Sequence, residues 1–547
     1  MKLLAYLARS LGVRGVAIVL LGLVGGVLNA AIVAWLTRQL SSPDRFSTSQ
    51  AGWSLLLILV AVLTDISAKY LFLRMTAGVT SSLRKNLIQQ ILDCPYPRLE
   101  QLGGSRLLTA LTEDVAKVGQ SLGNMPTMLI AIVTTVGCVI YLACHSPLLM
   151  FATLLVGMLV GLLSVAAHLK ARPLVREAFL SRDVLYGYCT ALMAGIKELK
   201  QHASRRKALT ESLIEPQLRQ IENQVTTARL WNQISVTGSQ ASVFCIIVVI
   251  LFSARWLADT PELLATFVVV MLYMKSAVHS VLSWLPTFAE ADTAIASLEK
   301  VGFSLAELST TTGSNEPAPP LSTVQIQLSG VCFEYPSDHT ERGFAIGPID
   351  LAASSGEVIF VTGGNGSGKT TLMKLLSGLY RPTTGTIHMN GQVIAERDYH
   401  RYIEQFAVVF ADYHLFPELI SAESLRSELS QVLYDRLKLS SIVPQLSLPT
   451  IRPEQLSHGQ RQRLALLVAC LDNRPIFVFD EWAANQDPSF REVFYRDILP
   501  ELKARGKLIF VVSHDNRYYE VADRHIEIAD GRICTDRSAR HQLLQTA

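Results

Sequence analysis

The stretch EVIFVTGGNGSGKTTLMKLLSGL, Glu357 to Leu379, decides the fold of the second half of this chain. A β-prone run ends at Thr362, a loop of small residues follows, and Leu372, Met373, Leu375 and Leu376 then recur at helical spacing. The loop fits G-x-x-x-x-G-K-[ST] through Gly363, Gly368, Lys369 and Thr370. Small residues let consecutive backbone N–H groups curl around phosphate oxygens, and the helix that follows points its positive end at them. An ammonium at Lys369 suits the β/γ phosphates, and the Thr370 hydroxyl suits a Mg²⁺ shell. A chance glycine-rich turn is the competing reading, and the order strand, loop, helix argues against it.

A second stretch, IFVFDEWAANQDP from Ile476 to Pro488, ends an apolar strand in two adjacent acids. Solvated charges at a strand end would explain it blandly. Beside a bound Mg-nucleotide the pair has a purpose. Asp480 would hold Mg²⁺, and Glu481 would orient and polarise an attacking water. The metal and Lys369 would offset the repulsion between the acids. Further β-prone segments (residues 324–328, 358–362, 406–410 and 508–512) alternate with helical ones, which predicts an α/β domain with a largely parallel sheet.

The first half has another character. Half of the 547 residues are apolar and only 17% are charged. Runs without Asp, Glu, Lys or Arg cover residues 15–37, 46–64, 118–169 and 230–254, and residues 263–289 carry Lys275 alone. The third run is 52 residues long. A bilayer core needs about 20 helical residues, so it reads as two spans turning at residues 144–147. The expected count is six. The first run is longer than the apolar core of a signal peptide, about 7–15 residues, so an uncleaved span is expected. Lys and Arg crowd the connections after spans two and four, which predicts that both termini and the long loops are cytoplasmic. Residues 303–321, with Pro317, Pro319 and Pro320, read as a linker between a membrane domain (1–302) and a soluble domain (322–547). The eight cysteines are scattered without CxxC or Cys/His spacing, which predicts free thiols. The net charge of +3 and the lack of a basic stripe argue against a nucleic-acid partner.

Lys275 falls near the middle of span six, with His279 one turn on. A cation there costs about 2.5–3.5 kcal/mol on insertion scales. It either lines a translocation path with His279 or pairs with an acid such as Asp65, although Lys69 stands four residues from that acid.

Between the two nucleotide motifs lies LSHGQRQRLAL from Leu456, in which Ser457 and Gly459 mark a second anion-binding helix start. LSHGQ resembles the signature motif of ATP-binding cassette (ABC) transporters, in which each signature closes on ATP held by the partner's P-loop. The six spans resemble the exporter-type membrane domain. The resemblance implies an all-α six-helix transmembrane domain followed by an α/β nucleotide-binding domain, a homodimer in a bacterial inner membrane, and ATP and Mg²⁺ as ligands. It carries over a nucleotide set of Gly363, Gly364, Asn365, Gly366, Ser367, Gly368, Lys369, Thr370 and Thr371, with Ser457, Gly459 and Gln460 from the signature. Tyr335 in FEYP resembles the adenine-stacking aromatic, and an ordinary strand aromatic is the alternative. His514 in VVSHD resembles the switch histidine that meets the γ-phosphate. Asn485 and Asp487 in AANQDP resemble the loop that crosses the dimer interface, with solvated turn residues as the alternative. By family position, residues 100–112 and 182–195 are candidates to dock on the cassette.

Two departures stand out. His458 occupies a usual Gly, and Ala411 in VVFADYHLF occupies the usual Gln, with Asp412 after it. The wording DEWAANQDP and FADYHLF is similar to bacterial exporters of cyclic peptides and siderophore precursors, half-transporters without an N-terminal peptidase domain. A peptide-like cargo is therefore expected, in contact with membrane lipid. A lipid or multidrug exporter uses the same parts. An ATP-gated regulator has only Ala411 in its favour. A nutrient importer is disfavoured by the fusion of membrane and ATPase parts.

Overall fold

A computed structural model describes residues 12–40, 48–257, 261–300, 319–335, 344–416, 428–439, 455–484 and 486–538. The chain divides into two units: Met1–Cys94 with Leu99–Thr311, and Pro95–Arg98 with Thr312–Ala547. Most of the expected linker, residues 303–318, lies outside the described residues.

Among the described residues, the first unit is built of helices. Its long helices are α1 (Gly12–Leu40), α2 (Thr48–Asp93), α3 (Met125–His145), α4 (Pro147–Ala194), α5 (Glu215–Leu257) and α6 (Pro261–Lys300). The expected hairpin turn is at Ser146, whose extended backbone (φ −155°, ψ 105°) separates α3 from α4, with Pro147 opening the next helix. At 1.5 Å per residue the 46 residues of α2 run about 69 Å, more than twice a bilayer core. The long loops are therefore continuations of the spans, as their sequence suggested.

Close packing of α1 on α3 depends on small residues. A Cβ on Gly26 would stand 2.6 Å from the Val133 Cβ, and one on Gly137 would stand 2.6 Å from the Ala30 Cβ. Such pairs let helices approach where no hydrophobic effect drives them together.

Among the described residues, five helices are long and apolar enough to cross a membrane. They are the helices of the first, second, third, fourth and sixth expected spans. The fifth expected span, residues 230–254, lies wholly within α5, so a long helix stands at each of the six expected spans.

The second unit holds two sheets. β1 (Gln325–Glu334), β2 (Ala345–Ser354), β4 (Thr384–Met389) and β5 (Gln392–Val393) form an antiparallel sheet in the order β2-β1-β4-β5. The larger sheet orders β10-β9-β3-β8-β7-β6, from β3 (Val358–Thr362), β6 (Phe406–Val409), β7 (Ile476–Asp480), β8 (Leu508–Val512), β9 (Arg524–Ala529) and β10 (Arg532–Ser538). Every pairing in it is parallel except β9 with β10. β7 and β8 are buried at every residue, as strands covered on both faces must be. Their side chains alternate between two cores. Phe477, Phe479, Ile509 and Val511 join Phe360 on one face, and Ile476, Val478, Leu508 and Phe510 join Ile359 and Val361 on the other. Helix α7 (Lys369–Leu376) packs Leu372, Met373, Leu375 and Leu376 into the second core. Helix α8 (His458–Leu471) packs Leu464, Leu466 and Leu467 into the first.

The segment of residues 95–104 that groups with this unit is Pro95–Arg98, just upstream of the expected 100–112. Within the unit, Tyr96 stacks on Tyr380 at 6.1 Å, and Lys374 Nζ lies 5.1 Å from the Tyr96 ring. All eight cysteines are free.

Candidate functional site

The phosphate loop bridges β3 and α7. Gly363, Gly366 and Gly368 take φ of 147°, 77° and 105°, conformations that side chains rarely adopt. A Cβ on Gly363 would lie 2.2 Å from the Ile528 carbonyl oxygen, so the loop is tied to β9 through a position that admits only glycine. The Lys369 ammonium is buried and donates to the carbonyls of Gly363 (3.1 Å) and Gly364 (2.9 Å). An ammonium has three N–H donors, so a further one is available to an anion. The Ser367 hydroxyl is buried without a partner. Gly364, Asn365 and Thr371 belong to the same loop and first turn, with Thr371 buried.

Thr370 Oγ1 donates to Asp480 Oδ2 at 2.9 Å. Asp480 is 2% exposed, and its other oxygen, Oδ1, has no hydrogen-bond partner. Burial pushes this carboxyl above its ordinary value, and the charges of Glu481 and Asp412 push the same way, while Thr370 and Lys369 pull it down. A buried carboxylate oxygen with nothing to accept costs on the order of 1–3 kcal/mol. With a hydroxyl alongside, it is a donor set that fits a hard divalent cation. Thr370 and Asp480 would hold Mg²⁺ there.

Glu481 follows at once but sits apart. Its φ of 54° is left-handed, which breaks the strand alternation at β7. Its N–H donates to the Val512 carbonyl of β8 at 3.1 Å, and its Oε1 lies 3.5 Å from His514 Nε2. Both side chains are roughly half exposed, at 41% and 48%. They line a cavity of about 270 Å³ with Arg491 and Arg517. Arg517 forks onto Asp515 at 2.9 and 2.7 Å and holds that carboxyl below its usual range.

At the signature, Ser457 caps α8 in a reciprocal box. Ser457 Oγ accepts from the Gln460 N–H at 3.3 Å, and Gln460 Oε1 accepts from the Ser457 N–H at 2.8 Å. The Ser457 amide is thus taken by Gln460. The groups left for an anion are the Ser457 hydroxyl proton and the N–H of Gly459, which as an early helix donor has no intrahelical acceptor.

The sequence did not reveal what ties this helix to the acid pair. Gln486, 4% exposed, donates through Nε2 to the Gly459 carbonyl (3.1 Å) and to Gln462 Oε1 (2.9 Å). The buried Trp482 indole donates to the Gln462 carbonyl at 2.8 Å. A polar residue inside a motif that otherwise reads as a loop was the available signal. Asp487 occupies the N-cap position of the helix Pro488–Glu492 without a side-chain cap bond. Asn485 lies outside the described residues.

Tyr335 is half-buried against the first turn of α7. Its hydroxyl meets Thr371 Oγ1 at 3.1 Å and the Tyr380 hydroxyl at 3.3 Å. The exposed Phe344, which sequence reasoning passed over, stands 3.2 Å from where a Gly368 Cβ would be. The two departures from the family pattern meet in space. Ala411, Asp412 and His458 line one cavity of about 390 Å³ with Arg461.

In the membrane unit Lys275 and His279 turn to α5. Lys275 Nζ lies 4.4 Å from the Phe244 ring centre, and His279 Nδ1 lies 3.4 Å from Gln240 Nε2. Asp65 pairs with Lys69 at 2.7 Å, so the pairing of Lys275 with Asp65 is not formed.

This arrangement defines a transporter with a nucleotide-driven cassette. Residues 16–278 match the ABC transporter transmembrane region, and residues 346–484 match the ABC transporter family. The chain is 32% identical over 540 residues to ATP-binding protein SyrD of Pseudomonas syringae pv. syringae, covering 94% of this chain and 93% of that one. It is also 32% identical over 236 residues to the probable syringafactin export ATP-binding/permease protein SyfD of Pseudomonas syringae pv. syringae (strain B728a), covering 40% of this chain and 35% of that one. Its fold matches a solved bacterial Atm1-family ABC exporter with ATP bound, with a TM-score of 0.76 and 15% identity over 99% of this chain and 97% of the other. The chain belongs to the ABC transporter family. It is a multi-pass inner-membrane exporter that binds and hydrolyses ATP.

Proposed function

We propose that two copies of this chain form a homodimer that uses ATP to export a peptide-like compound, such as a cyclic peptide or siderophore precursor, across the bacterial inner membrane. The cargo reading is supported by the relatives' likeness, one of them named for syringafactin export. The observation that carries the nucleotide chemistry is the Thr370–Asp480 contact at 2.9 Å beside an orphaned, buried Asp480 oxygen. In this reading residues 322–547 are the cassette and residues 1–302 the membrane domain, with the termini and cassettes cytoplasmic.

ATP lies with its phosphates against the amides of Gly363–Thr371 and the Lys369 ammonium, and its base near Tyr335. When bound, Mg²⁺ neutralises developing charge on the phosphates. Glu481 accepts the proton of the attacking water, and His514, 3.5 Å from it, meets the γ-phosphate from the other side of the same cavity. The Ser457 hydroxyl and Gly459 N–H of α8 complete the site on the opposite copy, with Gln460 holding the cap and Asp487 at the seam. Loss of the γ-phosphate removes what bridges the two cassettes, and they part.

A panel of cyclic peptides, siderophore precursors and lipids, added to the purified protein in lipid, tests the cargo class through ATPase stimulation. Stimulation by lipids alone would favour the lipid exporter of the same architecture. Full turnover by isolated single copies would refute the composite site.

A further inference from the structure

Outside the nucleotide site, the membrane unit holds a cavity of about 330 Å³ walled by α1, α2, α3 and α6. A neighbouring hollow between α1 and α2 is lined by Leu28, Ile32, Trp35 and other apolar side chains. The first cavity differs. Asp65 and Lys69 of α2 share its walls with Thr134 of α3 and with Tyr273, Ser276 and Ser280 of α6.

Asp65 stands about 26 Å along α2, and Ser276 about 22 Å along α6. Asp65 closes the charge-free run 46–64 and Ser276 lies inside the run 263–289, so both belong to helices long enough to cross a hydrocarbon layer about 30 Å thick. Ionisable groups there face cavities and carry function by default. Lys69 Nζ lies 2.7 Å from Asp65 Oδ2, so the pair sets a positive and a negative end side by side with no net charge. The hydroxyl protons of Ser276, Ser280 and Thr134 are already committed. Ser276 Oγ donates to the Tyr273 carbonyl at 2.9 Å, Ser280 Oγ to the Ser276 carbonyl at 3.0 Å, and Thr134 Oγ1 to the Gly26 carbonyl at 3.4 Å. What these oxygens offer the cavity is lone pairs.

We propose that this cavity binds a compact zwitterion: an ammonium bearing N–H donors joined to an anionic oxygen group. The head group of an amino acid or peptide has this chemistry, and so does that of phosphatidylethanolamine. The ammonium lies between the Asp65 carboxylate and the Ser276 and Ser280 oxygens, three acceptors for three donors. The anionic group takes Lys69. The ligand replaces one ion pair by two, so no charge is left unpaired in hydrocarbon. The inference rests on the reading of the chain as an exporter of peptide-like cargo and selects, within it, a cargo with a free ammonium and an anionic group, since a closed backbone ring has no terminal ammonium or carboxylate.

The test is equilibrium binding to the intact protein in phosphatidylcholine nanodiscs, whose lipid has no N–H on its quaternary nitrogen. The probes are leucyl-leucine with free termini and N-acetyl-leucyl-leucine amide. The free dipeptide binds at least about tenfold more tightly, and Asp65→Asn with Lys69→Gln removes the preference without leaving a lone charge. Ser276→Ala weakens the free dipeptide about threefold and leaves the capped one unchanged, which serves if the double variant does not insert. Phosphatidylethanolamine nanodiscs separate the sources. Loss of dipeptide binding there identifies the lipid head group as the occupant and supports the zwitterion chemistry, and retained binding supports the peptide. Equal affinity of the two probes for the wild type, absence of binding included, overturns the inference, and so does a preference that survives in every variant. ATP hydrolysis by the wild type in the same nanodiscs tests the transporter reading separately.

Discussion

The cassette and the membrane unit handle buried polarity in different ways. In the cassette the central strands are apolar on both faces, and two buried polar atoms without a partner, Ser367 Oγ and Asp480 Oδ1, lie in the loop after β3 and at the end of β7. In the membrane unit, several hydroxyls bond a carbonyl one turn back in their own helix. Thr64 donates to Val60, Thr80 to Thr76, and Thr135 to Ala131, each at 2.7–2.8 Å. Water surrounds the cassette, so a polar atom left bare inside it stands out as a place for a ligand. Lipid offers no partners, so a span's hydroxyls turn inward whether or not a ligand exists. There the informative feature is a charge pair beside a cavity.

That contrast can be broken most forcefully at Glu481. Glu481→Gln keeps the backbone and removes the base, so turnover falls by about 10²–10⁴-fold while ATP binding persists. A fall below tenfold, measured by phosphate release and nucleotide binding, would move the role elsewhere. Next comes Asp480→Asn, which makes the orphaned oxygen neutral and raises half-saturating Mg²⁺ by about tenfold or more. Unchanged Mg²⁺ dependence would remove the cation from that oxygen. Gln486→Leu leaves the Gly459 carbonyl and the Gln462 amide facing an apolar side chain. The expected cost is about 1–3 kcal/mol of cassette stability, read as a lower melting temperature of the intact chain. Smallest is Ala411→Gln, which changes basal hydrolysis or its stimulation by cargo. If both stay the same, the cavity shared by Ala411, Asp412 and His458 is not where coupling departs from the family.

Much of this was legible in the chain itself. The glycine loop, the strand and helix that flank it and the hairpin at Ser146 follow from local patterns. Gly, Pro and charge fix backbone and burial within a few residues of themselves. The Gln486–Gln462 bridge was not legible, because residues 24 apart meet only after β7 and α8 pack. Nor was the direction Lys275 takes. Its depth follows from counting residues, but which neighbour it meets depends on how α6 rotates against α5.

The left-handed backbone at Glu481 has one more consequence. For an L-residue that conformation costs roughly 1–2 kcal/mol, which glycine would not incur. A glycine there should make the domain harder to melt while leaving it inert. The acid therefore holds its place at the expense of a sturdier fold, and its crooked perch swings the carboxylate out of the sheet toward the cavity it shares with His514.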